Sequence, residues 1–210
     1  MPHAQAATDA LAVTSKEETA DLETESRLFA DSVRLLIDAT IRTRADAATF
    51  AAAREKIDCL TEELSVALIP GSFGVRQTGD GQSMAWGNVV IGLRNPVAPP
   101  LAISHGADGS VWTDFALGAA YEGPPGHVHG GVCAMILDHV LGATAHQPGR
   151  PAVTGTLSVR YLRGTPLGPL RAEAQVERVE GVKTFARGYI ADDQGITVQA
   201  EGVFIHPRQS

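Results

Sequence analysis

The stretch GHVHGGVCAMILDHVLGATA, residues 126–145, sets one carboxylate, Asp138, inside a run that otherwise reads as an apolar helix. Taking an ionised carboxylate out of water costs roughly several kcal/mol unless it is paired or hydrogen-bonded. Either that side of the helix is open, or the acid has chemistry to do. On a helical wheel Gly131, Ala134, Asp138, Gly142 and Ala145 fall along one stripe. Every member but the acid is Gly or Ala, so the stripe predicts close approach by another helix or a ligand. A helix-interior glycine costs up to about 1 kcal/mol relative to alanine, which implies a packing reason for Gly142.

The start of the same helix offers a second chemical feature. PPGHVHGG puts Gly130 and Gly131 in its first turn. Backbone N–H groups point outward there, and the helix dipole favours negative charge. Without side chains on the two glycines, a ligand oxygen has access to those donors, as in an oxyanion hole. A tight entry turn accounts for the same glycines without any ligand. His129 and Asp138 lie nine residues apart, so about 13 Å along a helix. A carboxylate and an oxyanion donor acting on one carbonyl must both lie within a few ångströms of it. One copy of the helix cannot supply both; two copies related by a two-fold axis can. The expectation is a dimer with composite sites.

The elements that must hold this helix are legible around it. Residues 1–20 are small, polar and Ala-rich, and read as a flexible tail. Residues 21–70 read as a helical extension, with Asp46 a candidate N-cap and Pro70-Gly71 a stop. After Pro70 the texture turns to Gly, Pro and short β-prone runs. NVVIGL and GSVWTDFAL read as strands, and RNPVAPPL between them as a Pro-rich turn or loop. Beyond the central helix come AVTGTLSVRYL, LRAEAQVERVE, TFARGYIAD and ITVQAEGVFIH, separated by the turn sequences RGTPLGP, GVK and DDQG. Strands, one apolar helix, then four strands in hairpin succession predict an α+β fold, an antiparallel β-sheet wrapped around a central α-helix.

Composition narrows the partners. The chain has 210 residues, 44% of them hydrophobic, and a net charge of −7. That balance disfavours nucleic acid, which selects clustered Lys and Arg. No apolar run approaches the roughly 18 residues of a membrane span. Cys59 and Cys133 lack metal-like spacing, and the N-terminus has no basic segment followed by an apolar one. Both features point to a reducing, cytoplasmic setting. His127, His129, Asp138 and His139 are the only candidates for a metal, but Asp138 and His139 point about 100° apart on a helix. No metal and no cofactor are therefore expected. Arg160 and Arg163 are candidates for phosphate contacts, against the plainer reading of charges on a solvated sheet face.

GHVHGGVCAMILDHVLG followed by TGTLSVRYLRGTPLG resembles the hotdog-fold acyl-CoA thioesterases of the PaaI and THEM branch. In that family an HGG motif opens the central helix and a catalytic Asp follows nine residues after the His; His129-Gly130-Gly131 and Asp138 match. The resemblance spans residues 86–206 and implies a hotdog domain there, in dimers often paired into tetramers, hydrolysing an acyl-CoA thioester to free acid and CoA. It implies Asp138 as nucleophile or general base and the Gly130 N–H of the partner chain as the group polarising the thioester oxygen. Thr154 then orients the acid or a water, with Thr156 the alternative. His129 and Gly131 shape the turn and border the substrate. Some relatives carry an Asn shortly before the HGG; this sequence has YEGPPGHVHGG, with His127 the candidate in its place. Thioesters are activated acyl groups, so a carboxylate suffices. Two alternatives remain open: a thioesterase for carrier-protein substrates, which the negative charge disfavours, and a non-catalytic acyl-CoA-binding or scaffold protein.

Overall fold

Hydrophobic alternation in the second half of the chain builds one six-stranded sheet. The computed structural model describes residues 16–77, 83–146 and 151–207. Its elements are α1 (Lys16–Arg42), α2 (Ala47–Ser65), β1 (Arg76–Gln77), β2 (Ser83–Met84), β3 (Ser104–His105), β4 (Val111–Leu117), α3 (Gly130–Ala145), β5 (Val153–Tyr161), β6 (Gly168–Glu180), β7 (Lys183–Asp192) and β8 (Gly195–Ile205). The chain separates into two units, residues 1–97 and 98–210.

In the first unit, the Asp46 carboxylate accepts from the Thr49 N–H at 2.9 Å and caps α2 as expected. Residues 1–15, most of the expected tail, lie outside the described residues, and α1 starts at Lys16. NVVIGL is not a strand. The Asn88 side chain accepts from the N–H groups of Val90 at 2.8 Å and Ile91 at 3.1 Å. It thereby offers the backbone a local turn in place of a ladder, despite the β-branched residues. A two-stranded ribbon, β1 with β2, replaces it.

In the second unit the strand order is β3-β4-β6-β7-β8-β5, antiparallel at each pairing. The four strands expected after the central helix are β5 to β8. β6 turns into β7 at Gly181, whose φ of +59° needs glycine. α3 lies against the sheet, with Ile136, Leu137, Val140 and Leu141 fully buried among Ala172, Ala186, Ile190, Val198 and Phe204. This is the antiparallel sheet and central helix of the hotdog fold.

Gly142 has the packing reason its position demands. A Cβ there would sit 3.3 Å from the Phe204 ring of β8, and Ala145 is 2% exposed. The C-terminal end of the small-residue stripe therefore packs on its own sheet. Of the stripe only Ala145 is buried, while Gly131 is exposed and Ala134, Asp138 and Gly142 are half-buried, so at Gly142 and Ala145 the chain's own sheet supplies a close neighbour.

Candidate active site

A turn fixes the entry to α3. In Pro124-Pro125-Gly126-His127 the His127 N–H donates to the Pro124 carbonyl at 2.9 Å, and Gly126 has φ +74°. Proline followed by a positive-φ glycine is the pattern of a type II turn. The segment is then pinned on both sides. Val128 N–H donates to Thr165 O at 2.8 Å, and His129 N–H to Tyr121 O at 2.9 Å. Below it, Cys133 Sγ contacts Thr165 Oγ1, which donates to Thr197 Oγ1 at 2.9 Å. Burial pushes the Cys133 thiol up, so it stays protonated in the core.

His129 is the N-cap of α3. Its Nδ1 accepts from the Gly131 N–H at 3.0 Å, which fixes the imidazole with its proton on Nε2. A Cβ on Gly131 would sit 3.1 Å from that nitrogen. The second glycine of the motif thus serves the cap, and its N–H is already used, contrary to the expectation of two open donors. Gly130 differs. Among the described residues its N–H has no acceptor, while Tyr161 Oη donates to its carbonyl at 2.8 Å. The Tyr161 ring lies 3.2 Å from where a Gly130 Cβ would stand. Tyr161 was not foreseen: nothing in RYLRG marks the tyrosine until the strand's phase is known.

That phase is set by a β-bulge. Thr154 pairs with Phe204 but Thr156 pairs with Val203, so β5 spends one extra residue at Gly155. Phe204 faces α3, as do the partners of Leu157, Val159 and Tyr161, namely Gly202, Ala200 and Val198. Without the bulge, strict alternation would turn Val153 and Gly155 toward the helix. With it, Thr154 faces α3, and its Oγ1 donates to Asp138 Oδ1 at 2.8 Å. A Cβ at Gly155 would stand 2.8 Å from Ile205. Thr156 and Arg160, paired with Val203 and Gln199, fall on the opposite face. Within one chain neither meets Asp138, and Thr154 is the threonine that does.

The remaining candidates lie elsewhere. Asp138 is partly exposed on α3, and burial holds the neighbouring His139 imidazole below the ordinary histidine range, against the pull of Asp138. Arg163 is committed to its own chain. It forms a two-pronged pair with Asp192, Nη1 to Oδ2 at 2.8 Å and Nη2 to Oδ1, and Nη2 also donates to Gly195 O at 2.8 Å. His127 and Arg163 border a cleft of about 510 Å³ with Leu167 and Gln194, separate from the Asp138–Thr154 pair. Hydrogen bonds from Arg163 hold the Asp192 carboxyl down at about 2, from its ordinary 3.8. A lowered native value adds stability above pH 3.8 that disappears as the pH falls through 2. The gap in melting temperature between wild type and Arg163→Gln is therefore expected to close between pH 5 and pH 2, about the span of this titration. A gap independent of pH would show that the pair contributes packing alone.

The thioesterase superfamily model matches residues 125–199. A crystal structure of a thioesterase superfamily protein is 35% identical, with a TM-score of 0.72, over 86% of this chain and 94% of that one. The chain belongs to the thioesterase superfamily. Two curated relatives are acyl-coenzyme A thioesterase THEM4 of Xenopus laevis, 36% identical over 94 residues, and acyl-coenzyme A thioesterase THEM5 of Mus musculus, 31% identical over 94 residues. Each match covers 43% of this chain, and 42% and 38% of the respective relative. The chain thus spans less than half the length of these relatives. No helix among the described residues is long and apolar enough to cross a membrane.

Proposed function

We propose that this chain is an acyl-CoA thioesterase, hydrolysing an acyl-CoA thioester to a free acid and CoA. The observation that carries the reading is the Thr154–Asp138 hydrogen bond. It holds one carboxylate oxygen, Oδ1, and leaves Oδ2 with its lone pairs available. A thioester carbonyl placed between that oxygen and the Gly130 N–H of a second copy meets a nucleophile or base on one side and an oxyanion donor on the other. In one route Oδ2 attacks the carbonyl carbon, the C–S bond breaks, and CoA leaves as thiolate. Water then hydrolyses the acyl-aspartyl anhydride. In the other, Oδ2 takes a proton from water as the resulting hydroxide adds to the carbonyl, and the tetrahedral intermediate expels the thiolate. The names of the two curated relatives support the substrate class.

A dimer follows from the same geometry, because about 12 Å of helix separates Gly130 from Asp138 in one chain. β5 supports it: a nine-residue edge strand with Val153 and Tyr161 exposed, open to pairing. Pairing of such dimers into tetramers and a cytoplasmic setting belong to the same reading. The two free cysteines fit a reducing compartment.

Thiol release from short, medium, long and aromatic acyl-CoAs tests the proposal. Turnover of at least one member is expected. An inert enzyme across the panel would contradict the reading and favour a scaffold or acyl-CoA-binding role.

A further inference from the structure

Among the described residues of the first unit, α2 carries a face with no partner. No residue of this 19-residue helix is buried. Phe50, Ile57, Leu60 and Leu64 stand 46%, 40%, 42% and 53% exposed. With Ala53 they recur at alternating steps of three and four, the a and d positions of a heptad. From Arg54 onward, every position between them except Cys59 is polar or charged. A helix of about 28 Å gains most of its stability from packing such a face, and among the described residues of its own unit none covers it.

We infer that α2 pairs antiparallel with α2 of a second copy, in the register that sets Ile57 against Leu60 of the other helix. Charge selects both orientation and register. With Phe50, Ile57 and Leu64 at a, Lys56 and Glu63 occupy successive g positions. In this register Lys56 of each helix flanks Glu63 of the other, giving two opposite-charge pairs by symmetry. A shift of one heptad either way sets Lys56 against Lys56 or Glu63 against Glu63. The parallel arrangement brings Lys56 beside Thr61 and makes no ion pair. Among the described residues neither Lys56 nor Glu63 has an ion-pair partner within its own chain. The contact is separate from the β5 edge and does not depend on the chemistry at Asp138.

The native cysteines provide the probe. Cys59 is exposed on the outer side of α2, and Cys133 is 1% exposed in the core. A thiol-specific spin label therefore marks Cys59 alone in the full chain. Double electron–electron resonance is expected to give a narrow label-to-label distance of about 20–35 Å, the separation of packed helix axes plus two helix radii and the label arms. Ile57→Asp is expected to abolish it. Lys56→Glu is expected to cut its amplitude at least about twofold, and Lys56→Glu with Glu63→Lys to restore it. The inference is overturned if wild type lacks that distance, if Ile57→Asp retains it, or if the double charge swap does no better than the single one. Those results would assign the face to another element of the chain or to a different protein.

Discussion

Asp138→Asn is expected to lower kcat for acyl-CoA hydrolysis by at least about 100-fold, or roughly 2.7 kcal/mol of transition-state stabilisation. The substitution is a strict one. The Asn carbonyl oxygen accepts the Thr154 hydroxyl as Oδ1 does, at the same 2.8 Å contact. The side chain's shape and placement on α3 survive, and what is lost is the charge and basicity of the second oxygen. KM and the melting temperature should therefore change little, because neither substrate contacts nor core packing are altered. Steady-state thiol release with a parallel thermal melt separates the two effects. Activity within about tenfold of wild type would mean that Asp138 is not the acid the reaction uses.

The second large effect is on stability. Leu141 is completely buried and seats over two glycines on neighbouring strands. A Cβ on Gly188 of β7 would lie 2.7 Å from Leu141 Cδ1, and one on Gly202 of β8 would lie 3.2 Å from Cδ2. The glycines leave a depression that the leucine fills. Both flanking strands are hydrogen-bonded on each side, Gly188 between Ala174 and Ala200, so the sheet cannot close over a void. Leu141→Ala is expected to cost about 3–5 kcal/mol, the upper part of the range for such truncations. For a chain of this size that lowers the melting temperature by roughly 6–20 °C. Denaturant titration at fixed protein concentration measures it. A loss below about 1 kcal/mol would show that the helix resettles on the sheet.

The parts of this molecule that rest on local chemistry could be read from the sequence, and the parts that rest on pairing could not. The turn glycines, the Asp46 cap and five of the strands, β4 to β8, follow from residue type and period. The Asp138–Thr154 contact followed from a family resemblance. Its physical basis, the bulge at Gly155, lies in the register between β5 and β8, which no single strand specifies. A glycine between two threonines is the one local sign of it. NVVIGL misled because β-branched residues outvoted Asn88, whose side chain captures two backbone donors. The small-residue stripe has its packing reason at Gly142 in the Phe204 ring of β8, which helix periodicity alone does not reveal. In His129-Gly130-Gly131 the turn reading accounts for His129 and Gly131. His129 Nδ1 uses the Gly131 donor, and the Gly130 donor stays open.

Subunit complementation tests the composite site most directly. Asp138→Asn and Gly130→Val chains, carrying different tags, would be co-expressed, and mixed dimers isolated and compared with each parent for thiol release. Gly130→Val brings a side chain against the Tyr161 ring at the open donor. A mixed dimer retains one site built from the intact Asp138 of one chain and the intact Gly130 of the other. Near-inactive parents are expected, with mixed dimers at about half the wild-type turnover per dimer. Mixed dimers no more active than the parents, from chains whose melting temperatures match wild type, would contradict a site shared between two copies.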